Sequence, residues 1–476
     1  MKFEEYRACD AIALADRVRA GETSAGDLVQ TATEAAKRAD RAFNCLSFTR
    51  FDAALEDARH VASRPGRFDG VPFLLKDSGL AARALPSSMG SRLFDPTTFE
   101  GDATLTARFK AAGFVTLARS TAPEFSMAPT TEARRNGGPT RNPFDPERSS
   151  GGSSGGAGVA VAAGVVPAAH GSDGGGSIRI PASCCGVFGL KPSRGLVPMG
   201  PYRGEGWGGL AADGVLSRSV RDTARALDLV AGKEPGAPYA APPGAGGFEA
   251  ALSRPLEGPL TIGVWRDPFG LPLHPACTEG LDAAVAACAD NGHEIMALEA
   301  PDLDYGAFID AITTVMAVNV AVSVDARLGG RALEPGMLEP ALADAHARGG
   351  RMSGPDYVRA INRFHATGRE MARMMRSCEV VLSPTLTAPP VPLGTISTET
   401  PDFAAFRRNA GELTAFLAVL NASGQPAASL PLWREGKLPV GVQIFAGFGE
   451  DALLLRLAGE LETSRLWREA RAWPKF

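Results

Sequence analysis

Between residues 148 and 195 the chain reads RSSGGSSGGAGVAVAAGVVPAAHGSDGGGSIRIPASCCGVFGLKPSRG. Two small-residue turns, GGSSGG and SDGGGS, flank an apolar stretch, and each presents serine on a backbone free to take unusual φ/ψ. A serine hydroxyl attacks a carbonyl only when a base takes its proton and a donor group holds the oxyanion. Upstream, GVPFLLKDSG places Lys76 at the end of a short apolar run. Burial there disfavours the ammonium, and a neutral lysine accepts a proton. Each residue alone has a blander reading: a serine in a glycine turn is usually a turn residue, and a lone lysine usually lies at the surface. The stretch Gly152–Gly156 also satisfies G-x-S-x-G, which would make Ser154 a nucleophile served by a later Asp and His. That alternative leaves GSDGGGSIR and LLKD without a role.

The elements that must position these residues alternate between strand and helix periodicity. Residues 9–20 and 24–39 read as helices, with Ser24 and Asp27 approximating a capping box. Residues 44–49 read as a strand, 51–63 as a helix, 70–77 as a buried strand ending at Lys76, 104–112 as a helix and 113–118 as a strand. A loop follows over 135–157, a helix over 157–166 and an extended segment over 186–191. The Pro- and Gly-rich stretch 233–257 reads as a linker. Beyond it, 260–265, 276–291 and 293–298 form a βαβ-like run, and 304–377 is mainly helical. Strands over 379–382, 427–430 and 440–445 precede a closing helix over 450–464. The pattern predicts an α/β fold.

Composition narrows the function classes. The 476 residues carry a net charge of −4 with no basic stripe, so nucleic-acid binding is not expected. Seven Cys and six His show no metal-ligand spacing, and neither a metal nor a cofactor is expected. Cys184 and Cys185 read as small buried hydrophobes. The start, MKFEEYRACD, shows no signal-peptide pattern. The longest small-apolar run, 157–169, is too short for a bilayer. A cytoplasmic protein without membrane contact is expected, and a homo-oligomer is left open.

The motifs GVPFLLKD, GPTRNPFDPERSSGGSSGG, GSDGGGSIRIPASCCGVFGLKPSRG, NASGQPAASLP and PVGVQI, in this order, resemble the amidase signature family over nearly the whole chain. The resemblance implies a central mixed, twisted sheet covered by helices on both faces. It implies a helical segment over 1–65 packed on a catalytic domain over 66–476, with a variable, mainly helical pocket region at about 270–377. It also implies a Ser-cisSer-Lys triad. Ser177 is then the nucleophile, Ser153 the bridging serine that follows an unusual cis peptide bond, and Lys76 the base. The N–H groups of Gly174, Gly175, Gly176 and Ser177 would converge as an oxyanion nest. Many family members carry Thr where this chain has Gly174. Ser154, Asp173 and Arg179 are expected to support the turn, and His170 is expected to be a non-catalytic helix-end or loop residue.

The segment around GSDGGGSIRIPASCCG is nearest in appearance to bacterial 6-aminohexanoate-cyclic-dimer-hydrolase-like amidases. The expected partner is a small, mostly apolar, uncharged amide, linear or cyclic. Its walls are expected from Phe125, Met127, Tyr202, Trp207 and Met316, while Arg203 and Glu205 are expected to be solvated. Two alternatives stand beside this one. A glutamine-amidase subunit of a tRNA-dependent amidotransferase shares the serine motif but typically carries Gln where this chain has Ile180. A non-catalytic binding protein would have no reason to keep Lys76, Ser153 and Ser177 together.

Overall fold

Alternating polar and apolar spacing draws the chain into two sheets flanked by helices. The computed structural model describes residues 1–61 and 66–476. The strands are β1 (Leu46–Thr49), β2 (Pro72–Lys76), β3 (Val115–Ser120), β4 (Ala168–Asp173), β5 (Phe188–Lys191), β6 (Ala212–Ser217), β7 (Thr261–Trp265), β8 (Glu294–Leu298), β9 (Val380–Pro384), β10 (Ala427–Glu435) and β11 (Leu438–Ala446). Eight form a mixed sheet in the order β4-β6-β5-β10-β11-β9-β7-β8, and three form a smaller sheet in the order β1-β3-β2. The large sheet is antiparallel from β4 to β9 and parallel from β9 to β8. β2 packs beside β4, which brings the lysine strand to the serine turn.

The amino-terminal segment contributes a strand as well as helices. Its helix Ala25–Phe43, started by a Ser24–Asp27 capping box, packs on β2 and β3, while β1 pairs antiparallel with β3. The expected boundary at 65/66 falls at residues outside those described, as do the last residues of the helix expected over 51–63; the observed helix is Phe51–Arg59. The pocket region is also narrower than expected. The helix Pro275–Asp290 packs on the large sheet, of which β8 is an edge strand, and the helices that wall the site begin at Tyr305. By length and composition the helix Tyr305–Leu328 is apolar enough to cross a membrane, with mean hydropathy 1.8. Here it packs against the helices Pro340–Gly349, Gly354–Met374 and Phe403–Leu413, as a core helix does.

Two strands that position the site lack β character in sequence. β4 reads AAHGSD and β6 reads ADGVLS, yet they pair over six residues. Burial and pairing outweigh their weak propensity. β4 runs straight into the glycine turn, and the helix Arg179–Cys185 follows it. In front of β4, the helix Gly155–Ala162 is built of Gly, Ala and Val and is buried on every side.

Candidate active site

Lys76 ends β2, fully buried, with its Nζ 2.6 Å from Ser153 Oγ and 2.9 Å from Ser172 Oγ. Burial draws its pKa down to about 7, against the opposing pull of Asp213, Asp173 and Asp77. The strand end is fixed from below. Arg119 Nη1 donates to the Lys76 carbonyl at 3.0 Å, and the neighbouring Asp77 carboxylate accepts from the hydroxyls of Ser87 and Ser88 at 2.5 Å each.

Ser153 follows a cis peptide bond at Gly152–Ser153, the one non-proline cis bond among the described residues. Its neighbour Ser154 donates its N–H to the Ser177 carbonyl at 3.2 Å, tying the two serine turns together. Ser154 Oγ lies 3.4 Å from both the N–H and the carbonyl of Ser172, so Ser154 braces the turn. Ser177 Oγ makes no hydrogen bond among the described residues, and Ser177 and Ser153 line the same cavity, of about 220 Å³. Two larger cavities, of about 370 and 450 Å³, contain none of Lys76, Ser153 and Ser177.

The turn itself is held by an ion pair. Asp173 accepts from Arg179 Nε and Nη2 at 2.9 Å each and from the Gly176 N–H at 2.7 Å. Burial alone would raise the Asp173 carboxyl; the Arg179 charge and hydrogen bonds outweigh it and hold the group well below the usual carboxylate range. Arg179 is satisfied further by Asn421 Oδ1 at 2.7 Å and Gln443 Oε1 at 2.8 Å. Asn421 Nδ2 in turn donates to the Asp173 carbonyl at 2.9 Å. These bonds give NASGQPAASLP and PVGVQI a physical role that sequence reading did not assign: they clamp the far side of the serine turn.

Of the four N–H groups expected to form an oxyanion nest, three are free of protein acceptors among the described residues. The Gly176 N–H is taken by Asp173, which removes it from the set, whereas those of Gly174, Gly175 and Ser177 have no protein acceptor among the described residues. Gly176 stands at φ +122°, a backbone conformation that side chains disfavour. A Cβ at Gly174 would meet the Trp207 ring at 2.5 Å, so the close approach of that indole favours glycine at this position.

Phe125, Met127 and Trp207 line the main cavity, and Met316 lines an adjoining smaller one. Phe125, Ser126 and Trp207 all take left-handed backbone conformations, uncommon for side-chain-bearing residues and frequent at binding sites. Tyr202 is a correction: it is 60% exposed, is not among the cavity's lining residues, and its hydroxyl lies by Gly101. Arg203 and Glu205 both line the cavity; Glu205 is exposed, as expected, whereas Arg203 is only partly so. Arg203 Nη2 pairs with buried Asp213 at 2.7 Å, and Glu205 accepts from Tyr239.

His170 is also placed differently from expectation. It is a fully buried residue of β4 whose Nδ1 accepts the Lys76 N–H at 3.2 Å and whose Nε2 lies 3.1 Å from Asp213 Oδ1. An Nδ1 that accepts leaves the proton on Nε2, which then donates to Asp213. Burial lowers its pKa although Asp213 opposes the shift, so the ring is neutral. It touches the lysine backbone and neither serine hydroxyl.

The Amidase family model matches residues 27–455. A 6-aminohexanoate-cyclic-dimer hydrolase of Paenarthrobacter ureafaciens is 33% identical over 473 residues, covering 96% of this chain and 95% of the relative. A glutamyl-tRNA(Gln) amidotransferase subunit of Thermus thermophilus is also 33% identical, over 475 residues, covering 94% and 96%. A solved structure of a 6-aminohexanoate cyclic dimer hydrolase superposes with a TM-score of 0.92 at 32% identity, covering 98% of this chain and 99% of that one. The chain belongs to the amidase signature family, and it is an amide hydrolase.

Proposed function

We propose that the protein hydrolyses the carboxamide bond of a small, mostly apolar amide, linear or cyclic, through an acyl-enzyme on Ser177. The observation that carries this reading is the 2.6 Å contact of a fully buried lysine with Ser153 in a cavity shared with Ser177. Neutral Lys76 takes the Ser153 proton while Ser153 takes that of Ser177, and the Ser177 oxygen attacks the carbonyl carbon. The free N–H groups of Gly174, Gly175 and Ser177 receive the oxyanion, each such donor being worth about 3–4 kcal/mol in comparable sites. The proton returns through Ser153 to the leaving amine. Water then repeats the sequence on the ester, releasing the acid. Asp173, Arg179 and Ser154 act by holding the turn.

The likeness to cyclic-dimer hydrolases favours a cyclic or aliphatic amide over glutamine, and Ile180 where amidotransferase subunits typically hold Gln supports the same choice. The reading needs neither cofactor nor partner chain. All seven cysteines are free thiols, five of them buried, which supports a reducing, cytoplasmic setting. The test is labelling with a neutral alkyl fluorophosphonate followed by peptide mapping. Label on Ser177, lost in Ser177→Ala and kept in Ser154→Ala, supports the reading. Label that follows Ser154 instead supports the G-x-S-x-G alternative.

A further inference from the structure

Asp213, on β6, is a fully buried carboxylate that the proposed reaction does not use. The sheet sets its place. In the β4–β6 register it stands opposite Ser172, whose Oγ lies 2.9 Å from Lys76 Nζ. Its Oδ1 lies 3.1 Å from His170 Nε2, and its Oδ2 accepts from Arg203 Nη2 at 2.7 Å. His170 Nδ1 accepts the Lys76 N–H at 3.2 Å. A hydrogen-bonded chain therefore runs from Arg203 through Asp213 and His170 to Lys76. It joins the loop that lines the cavity to the strand end that carries the lysine.

The same chain carries charge. A carboxylate near a buried amine favours the protonated amine, and low polarity strengthens the effect. Charged and titratable groups reach Lys76 from each side: Asp77 on its own strand, Arg119 on β3, His170 and Asp173 on β4, Asp213 on β6 and Arg203 on the loop. Two helices also pack on β2; Gly155–Ala162 carries no charge, and Ala25–Phe43 buries only apolar residues and Thr33. Burial draws the Lys76 pKa down, Asp213 is the strongest charge drawing it back, and Arg203 opposes Asp213. Burial alone would raise the Asp213 carboxyl, but the Arg203 charge and the His170 bond hold it at about 2. Asp173 has a counter-charge in Arg179. Asp213 has one in Arg203 alone: among the described residues no other lysine or arginine pairs with it, and burial keeps His170 neutral.

We propose that Arg203 is a positioning residue for this reaction: through Asp213 and His170 it anchors the Lys76 strand end, and it offsets the buried carboxylate charge that would otherwise favour the Lys76 ammonium. The inference rests on Lys76 being the base that activates Ser177.

The test is the pH dependence of Ser177 labelling by a neutral alkyl fluorophosphonate. In Arg203→Met the rising limb should move up by about one pH unit, so that the loss of rate on the acidic limb exceeds the loss on the alkaline plateau about tenfold. Arg203→Lys, which keeps the charge, should stay nearer the wild-type limb. Asp213→Asn should move the limb down by about half a unit or more, because the anion is gone and the cation stays. In the double variant the two shifts should largely cancel. Circular dichroism melts establish that each variant folds; if Arg203→Met does not, the direction of the shift in Asp213→Asn decides. A limb that stays in place in Arg203→Met, a loss equal at every pH, or a limb that rises or stays in Asp213→Asn overturns the proposal. The outcomes separate the two claims. Lys76→Met labelled as fast as wild type removes the reading beneath, whereas a limb that depends on Lys76 but not on Arg203 removes this inference alone.

Discussion

Two buried cations stand on either side of the serine turn, and the protein treats them in opposite ways. Arg179 meets a carboxylate, an asparagine and a glutamine, and it holds the Asp173 carboxylate ionised. Lys76, equally buried, meets only hydroxyls and a carbonyl, and its pKa falls to about 7. Equal burial therefore gives a paired frame in one place and, in the proposed mechanism, a proton acceptor in the other. What differs is whether a counter-charge is within reach of the head group. Asp213 and Asp173 act on Lys76 from a distance and soften the shift without cancelling it.

The sharpest way to break this comparison is to remove each cation in turn. Lys76→Met should cost about 10⁴-fold in kcat/KM, roughly 5.5 kcal/mol, because no other base touches Ser153. The same change should raise the Tm at pH 7. The folded lysine has a pKa of about 7 against an ordinary 10.5, so the unfolded chain binds more protons and stability rises with pH across that window. Removing a group that opposes folding at neutral pH is stabilising. A lower Tm in Lys76→Met would show that the lysine is structural.

The frame should respond the other way. Asp173→Asn leaves Arg179 charged and buried without its anion, and a loss of about 3–5 kcal/mol of stability is expected from denaturant unfolding. An unchanged midpoint would mean that Asn421 and Gln443 hold Arg179 alone. His170→Asn should sit between frame and chemistry. The asparagine oxygen accepts from the Lys76 N–H in place of Nδ1, so steady-state activity should stay within about tenfold, or about 1.4 kcal/mol. A larger loss with intact folding would reopen a histidine-based mechanism. The smallest effect belongs to Tyr202→Ala, which should leave kcat/KM within about twofold, since that ring is exposed and is not among the cavity's lining residues.

The proposed chemistry rests on residues whose sequence signal is local. Lys76 at the end of an apolar strand, and the serines inside glycine turns, carry their signal within a few neighbours. Many helices and strands were legible through periodicity, but the helices Val220–Val230 and Phe403–Leu413 were not assigned, and β4 and β6 were missed because AAHGSD and ADGVLS hold few β-branched residues and pair only in the folded sheet. The frame was illegible for a different reason. Asn421 meets Asp173 across 248 residues of chain, and no spacing rule reaches that far. Arg203, expected to be solvated, pairs instead with buried Asp213, since nothing in a loop marks which charge turns inward. Tyr202 failed in the converse way: an aromatic in a wall-forming loop faces solvent.

The central claim is that burial makes Lys76 the base that activates Ser177 through Ser153. The most direct measurement is the second-order rate of Ser177 labelling by a neutral fluorophosphonate as a function of pH, with wild type and Lys76→Met side by side. The account gives a wild-type rate that rises about tenfold per pH unit at acidic pH, levels above about 7, and is nearly abolished in the variant. A limb that continues to rise toward pH 10, or a variant labelled as fast as wild type, would contradict it.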